Sequence, residues 1–369
     1  MPSIRLPRAT PLPARWDGLW IVWGLVLATA YYASGMFGLA TPQIGAHVSL
    51  IWPAAGLAFA ALVRLRPGMW PAVMLGALPV ALSTGLPLWA AVLTALGNAA
   101  GPALAAESLR RHGLHTNLDR RQDLWRFGLG AGAATLISAT NGTCWLVLSG
   151  ALPWTLAPAA WASWWLGDLM GVIVVGVPLL TASRATLRRA FGDWRWVPGL
   201  LLAGGSVAGA WFSFRGQPGV VSPLLFLPYL LLGWLALRSG VFAASATVLL
   251  LAVMSVVATL TSHGPFAGAD APAALAMLAG YIATLSALPM LVTALVGELS
   301  ATEDRWQLAL AASNLGVGDW DLRRGMLDFS PRWLDLLDLP ARPRGHPADV
   351  FWSRIHPDEL ASVQKMLES

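Results

Sequence analysis

The sequence predicts an all-α polytopic membrane helix bundle of about ten spans, followed by a partial α+β domain. Three observations carry this. Hydrophobic residues make up 56% of the chain and charged residues only 12%, with a mean hydropathy of +0.60; a soluble domain carries roughly 25% charged residues. Apolar segments follow one another with short connections between them. Near Glu298 the composition changes, and after Ser313 the apolar period falls from helical to two.

Ten apolar segments run over about 18–39, 48–63, 69–82, 88–106, 124–149, 159–182, 197–214, 221–237, 241–260 and 271–296. A helix needs about 20 residues to cross a bilayer, so the third is expected to tilt or to enter incompletely. Arg5, Arg8 and Arg15 before the first segment imitate a secretory signal, with Ala28-Thr29-Ala30 as a cleavage site. The apolar run continues past it, so an anchor is expected.

Charge placement sets the orientation. Alternate connections hold Arg5, Arg8 and Arg15; Arg64 and Arg66; Arg110, Arg111, Arg120, Arg121 and Arg126; Arg184, Arg188, Arg189 and Arg195; and Arg238. The opposite set holds only Arg215. Positive connections stay inside, so both termini are expected in the cytoplasm. The net charge of +5 is thus a topology signal and not a nucleic-acid surface. A single cysteine, Cys144, excludes an intramolecular disulfide, and no Cys/His cluster has zinc spacing. No metal, cofactor or nucleic-acid partner is expected; the lipid bilayer is the main partner.

Beyond the tenth segment, Val292, Leu295, Leu299, Thr302, Trp306 and Ala309 step by three and four. This seam suits either a homodimer through the helix around 292–309 or a single helix packed on its own domain. Residues 298–313 are therefore expected to connect a membrane domain at 1–297 to a domain at 314–369. There, Val317–Leu322 reads as a strand, Arg323-Arg324-Gly325 as a turn and Met326–Phe329 as a second strand. Ser330-Pro331 reads as a helix N-cap and first residue, with Trp333, Leu334, Leu336 and Leu337 on its apolar face. Pro357-Asp358-Glu359 opens a later helix with two acids where the macrodipole favours them.

Asp168 stands out among residues able to carry chemistry. It lies inside the sixth segment, where an ionisable group costs several kcal/mol unless paired, protonated or hydrated. It reads as a ligand or signal site, or as a carboxyl that ties neighbouring helices together. Asn98 and Asn141 read first as interhelical glue. Trp52 reads as an interfacial anchor, and Pro53 as a residue that loosens its turn. Trp164 and Trp165 are placed to line a cavity with Asp168 or to serve as membrane aromatics; at helical spacing, at most one of them shares its face. Glu107 is expected in a solvated pair with Arg110 or Arg111. His263 and Asp270 are expected in a solvated loop, and Cys144 as a buried apolar filler. No nucleophile–base pair, phosphate loop or nucleotide motif is present, so the chain is not expected to be an enzyme.

Several blocks resemble the MASE-type integral membrane sensor domain of bacterial signalling proteins. They are Val48-Ser49-Leu50-Ile51-Trp52-Pro53-Ala54-Ala55-Gly56, Leu96-Gly97-Asn98, Leu136-Ile137-Ser138-Ala139-Thr140 and Trp164-Trp165-Leu166-Gly167-Asp168. The chain departs from that family after the Gly-Asn pair, where Ala99-Ala100-Gly101-Pro102 replaces a stretch that often carries an acid. From about Asn314 the chain resembles the start of a PAS domain, through Gly316-Val317-Gly318-Asp319-Trp320-Asp321-Leu322, Ser330-Pro331-Arg332-Trp333 and Ile355-His356-Pro357-Asp358-Glu359. These resemblances imply a sensor in a bacterial inner membrane. An unknown small-molecule or membrane signal would act on it, and the output would be a histidine kinase or a cyclic-di-GMP enzyme. A small-molecule transporter or channel with an appended regulatory domain is the alternative, and a membrane-embedded enzyme is the third reading.

Overall fold

The structure is a computed structural model that describes residues 18–40, 51–192, 196–267, 269, 271–313, 316–321, 323–340 and 345–368. Val48-Ser49-Leu50, the arginines before Gly18, Arg195, Asp270, Asn314 and Leu322 lie outside the described residues. Two compact units emerge, 1–297 and 298–369.

The first unit is a helix bundle, so the chain is a polytopic membrane protein. Its elements are α1 (Gly18–Ala40), α2 (Pro53–Arg64), α3 (Trp70–Ser83), α4 (Leu88–Arg111), α5 (Arg121–Leu148) and α6 (Ala157–Gly171), then α7 (Val177–Thr181), α8 (Arg184–Phe191), α9 (Trp196–Phe214), α10 (Leu227–Leu260) and α11 (Ala271–Ser313). Among the described residues, seven helical runs are long and apolar enough to cross a membrane, and two shorter apolar ones cover Pro53–Arg64 and Pro67–Ser83.

The remaining expected segment is folded inside α10. Gly240 has φ 85° and ψ 175°, outside the helical region. In a straight helix, residues 229 and 260 would stand about 47 Å apart at 1.5 Å per residue. Yet Tyr229 and Phe266 both pack on Tyr281, at ring separations of 6.0 and 5.6 Å. The chain therefore reverses at Gly240 into two antiparallel arms, 227–239 and 241–260. Only glycine takes this backbone without strain. Arg189 donates to the Leu237 carbonyl at 3.1 Å, answering one of the acceptors that a helix end leaves open.

The second segment departs from expectation. Helix α2 begins only at Pro53, and Trp52 before it is extended (φ −101°, ψ 92°). Its backbone N–H donates to the Gly167 carbonyl of α6 at 2.9 Å. Extended backbone is tolerated in a membrane protein where the protein itself supplies partners. Pro53 accordingly occupies the first helical position, where its missing N–H costs nothing; it starts a helix and loosens none. At the other end of α2, the Arg64 guanidinium donates to the carbonyls of Leu179 (2.9 Å), Leu180 (3.0 Å) and Ala182.

Side chains form two principal cores. One gathers Tyr31, Phe59, Leu62, Leu118 and Phe127 with Val172, Val177 and Met290. The other gathers Phe214, Leu232, Leu235, Leu251, Leu278, Ile282 and Leu285 with Val174. The chain passes between them at Val172–Gly176, a π-helical stretch that follows α6. One residue added per turn rotates successive side chains onto a new face. Val172 and Val177, five residues apart, thereby both reach the first core, while Val174 on the opposite side reaches the second.

Glycines permit the tightest approaches. A Cβ on Gly56 would meet the Gly171 carbonyl, and one on Gly171 would meet the Trp52 carbonyl. Cys144 is exposed and no core filler: Gly142 and Thr143 face inward, and a 100° step turns Cys144 away. Glu107 pairs with Arg111 at 2.7 Å at the surface.

In the second unit, β1 (Gly318–Asp321) pairs antiparallel with β2 (Met326–Phe329) around the Arg323–Gly325 turn, where Gly325 has φ 63°. Helix α12 (Pro331–Leu337) follows, then β3 (His346–Pro347) on β2, α13 (Ala348–Trp352) and α14 (Pro357–Glu368). Aromatic rings hold these pieces together: Phe329 stacks on Trp333 at 5.4 Å, and Phe351 meets Trp352 at 5.4 Å. Two details differ from the sequence reading. The Ser330 hydroxyl accepts from Val317 N at 3.0 Å and does not cap α12, and Leu336 is exposed.

The glycine contacts yield a stability test. Gly171→Ala is expected to destabilise the bundle by about 1–3 kcal/mol, seen as a lower unfolding midpoint in detergent. Gly128→Ala, where the added carbon meets no side chain or neighbouring helix within 4 Å, should leave the midpoint unchanged or slightly raised.

Candidate functional site

Four helices and the extended entry to α2 converge on a buried polar chain. Helix α1 contributes Tyr31, α4 Asn98, α5 Ser138, and α6 both Trp164 and Asp168; Trp52 comes from the segment before α2. Asp168 is 3% exposed, Tyr31 2% and Ser138 3%. The Asp168 carboxyl faces the Trp164 indole and the Ser138 hydroxyl. Ser138 Oγ lies 2.7 Å from Asn98 Oδ1. Tyr31, in turn, faces the Trp52 indole and the Asn98 amide. The chain thus runs Trp52, Tyr31, Asn98, Ser138, Asp168, Trp164.

Local sequence explains the convergence. Trp164 lies over Gly142, occupying the space a side chain there would fill, and the Trp52 ring lies against Gly38. Asn141 packs beside Gly97; its amide donates to the Leu93 carbonyl at 2.8 Å and accepts from the Trp145 indole at 3.0 Å, which ties α4 to α5. A narrow cavity lined by Tyr31, Ala55, Asn98, Pro102, Ser138 and Asp168 has room for about one water. Pro102 lies inside α4 and has no N–H for the Asn98 carbonyl four residues back. That carbonyl is a further acceptor at the cavity wall. The stretch where the chain departs from the related pattern, Ala99–Pro102, therefore ends on the cavity lining.

Hydrogen counting shows what the arrangement can do. Ser138 has one hydroxyl proton and two neighbours that can accept it, Asn98 Oδ1 and Asp168. When Asp168 is ionised, Ser138 serves the carboxylate and Asn98 Oδ1 loses a donor. A protonated Asp168 instead donates to Ser138, which donates on to Asn98. The Ser138–Asp168 direction reverses and the Ser138–Asn98 bond is made or lost with it, with little movement of heavy atoms.

Of the residues singled out from the sequence, Asp168, Trp164, Asn98 and Trp52 share this chain. Trp165 does not: it stacks on Trp161 at 6.1 Å and points its indole at the Gly132 carbonyl, 3.5 Å away. Pro53 shapes the backbone beside the site without contributing a polar group. Sequence reasoning missed Tyr31 and Ser138. Tyr31 stands beside Tyr32 in an apolar run that also holds Thr29 and Ser34, so nothing local singles it out, and Ser138 lies in a block noticed only for its resemblance. His263 stands in an exposed loop with Nδ1 3.2 Å from Thr261 Oγ1.

A family model, MASE1, matches residues 23–300, well over half of the chain. Neither the curated proteins nor the solved structures contain a match. The matched span takes in every member of the polar chain from Tyr31 to Asp168, as well as the whole helix bundle from α2 to α10. The chain therefore belongs to the MASE1 family, a membrane-associated sensor domain.

Proposed function

We propose that the chain is the sensory input region of a bacterial signal-transduction protein in the inner membrane, with no catalytic centre of its own. The observation that carries this is the buried polar chain ending on Asp168, next to a π-helical stretch that touches both cores. Membership of a sensor family supports it. A small-molecule or membrane signal would favour one direction of the Ser138 hydrogen bond. Val174 then offers a route to α11, through its core with Leu278, Ile282 and Leu285. A ligand moves such an equilibrium only by its differential affinity for the two arrangements. The cavity, with room for about one water, suits recognition or proton relay more than the conduit a transporter or channel needs.

Residues 314–369 form, on this reading, the start of a PAS module that receives the change. The β1–β2 hairpin and the Pro-initiated helices α12 and α14 support the assignment. The output would be a histidine kinase or a cyclic-di-GMP enzyme. Beyond Val292, Leu295, Leu299, Thr302 and Trp306 recur at three–four spacing on a stretch of α11 whose residues 299–309 are exposed on every face. A second copy of the chain is the occupant that this three–four spacing fits.

Three outcomes are expected. Asp168→Asn keeps a donor where the protonated acid has one, so the full-length protein should reach the membrane at near-normal abundance with its output locked. Unchanged, responsive output at normal abundance would remove the sensing role, and loss from the membrane would make Asp168 a packing residue. Reporter fusions after Arg189 and Arg238 should report cytoplasm, and one within 151–157 periplasm; the reverse at any two sites contradicts the topology. In a Cys144→Ser background, Leu299→Cys should cross-link two copies in membranes whereas Ala301→Cys, off the stripe, should not. Equal cross-linking at both positions would rule out the seam.

A further inference from the structure

A second cluster, separate from the polar chain around Asp168, lies on the connection between α4 and α5. His115, Asp119 and Asp123 follow one another at intervals of four, and one ligand atom from each lies within 4.8 Å of the other two. Asp123 stands in the first turn of α5 and is 0% exposed. Its Oδ1 accepts from the His115 backbone N–H at 3.2 Å and faces Arg126 at 3.6 Å. Its Oδ2 is buried with no hydrogen-bond partner, and Asp119 Oδ1 is buried in the same condition. Leu118 between them is fully buried with φ 52°, which fixes the loop and holds His115 and Asp119 at the mouth of the cluster.

Two buried carboxylate oxygens without donors are costly. Arg126 balances one of the two carboxylate charges. Arg120 Nη1 lies 3.3 Å from Nε2 of the His115 imidazole, so an ion would take the ring through Nδ1 or displace that guanidinium. A bound cation would satisfy both open oxygens at once and take the imidazole as its third ligand.

We propose that His115, Asp119 and Asp123 bind one divalent first-row transition cation, of which Zn²⁺ and Mn²⁺ are the representative probes. The donor set selects the class. One imidazole nitrogen with two carboxylate oxygens is softer than the all-oxygen shells of Ca²⁺ and Mg²⁺ and harder than the thiolate sites of Cu(I). Three protein ligands leave a fourth position, and His115 is exposed, so that position faces solvent. The sequence search looked for Cys/His spacing and so passed over a cluster made mostly of carboxylates. The site also adjoins α11: the Asp119 carbonyl fills the space a Cβ on Gly297 would need. An ion there would stiffen the loop against that helix.

The test uses the whole chain in detergent or nanodiscs, stripped with a chelator and titrated with ZnCl₂ and separately with MnCl₂ by calorimetry. One ion per chain is expected for at least one of the two. His115→Ala and Asp119→Asn should each weaken it by about tenfold or more. These two side chains are the less buried members, so both variants are expected to keep the wild-type helical content. The cation should also raise the wild-type unfolding midpoint and leave that of Asp119→Asn unmoved. Absence of saturable binding with both ions, or undiminished affinity in both variants, overturns the proposal.

Discussion

Lipid offers no hydrogen-bond partner, and this single constraint organises the bundle. Each polar group placed among the helices must be answered by another protein group. Asp168 cannot sit alone in α6, so Ser138 and Trp164 come to it; Ser138 meets Asn98, and Asn98 meets Tyr31. The same constraint governs the backbone. Trp52 can leave the helical conformation because the Gly167 carbonyl takes its N–H, and the carbonyls of Leu179, Leu180 and Ala182 can end a helix because Arg64 reaches them. Close approach follows, since these bonds demand short distances between helices. Gly56 and Gly171 supply them by having no side chain.

The π-helical stretch after Asp168 gives this polar site a mechanical neighbour. Residues two apart on a helix face opposite ways, so Val172 and Val174 meet different cores, and the π-helical stretch returns Val177, five residues after Val172, to the first of them. A change in how Asp168 is bonded is therefore met within about two turns by side chains that belong to both groups of helices. Membership of the MASE1 family says that the bundle senses; the placement of Val172 and Val174 suggests where a sensed change would cross it.

Much of the fold was legible because helix length and arginine placement are read directly from composition along the chain. The break between the eighth and ninth segments was visible as Arg238-Ser239-Gly240, and the Met326–Phe329 strand as a short run after a glycine turn. Asp168 was legible because a charge in an apolar run is conspicuous. What escaped notice were groups whose meaning depends on a distant partner. Tyr31 is one of two adjacent tyrosines in an apolar helix, and only the fold shows it against Asn98, far along the chain. Trp52 and Pro53 read as an anchor and a loosened turn, because nothing local reveals that a carbonyl of α6 waits for the Trp52 N–H. Cys144 was misplaced for a similar reason: the direction a mid-helix residue faces is set by neighbours that the sequence alone does not identify.

The reversal at Gly240 has a consequence for how the protein is made. Two apolar arms joined by one glycine, with only Arg238 charged beside it, share no hydrophilic loop that could remain in water while one arm waits for the other. An arm inserted alone would leave its partner, which is just as apolar, stranded at the membrane surface. The two arms are thereby suited to enter lipid together as one hairpin. A residue larger than glycine at position 240 would strain the reversal on which that pairing depends.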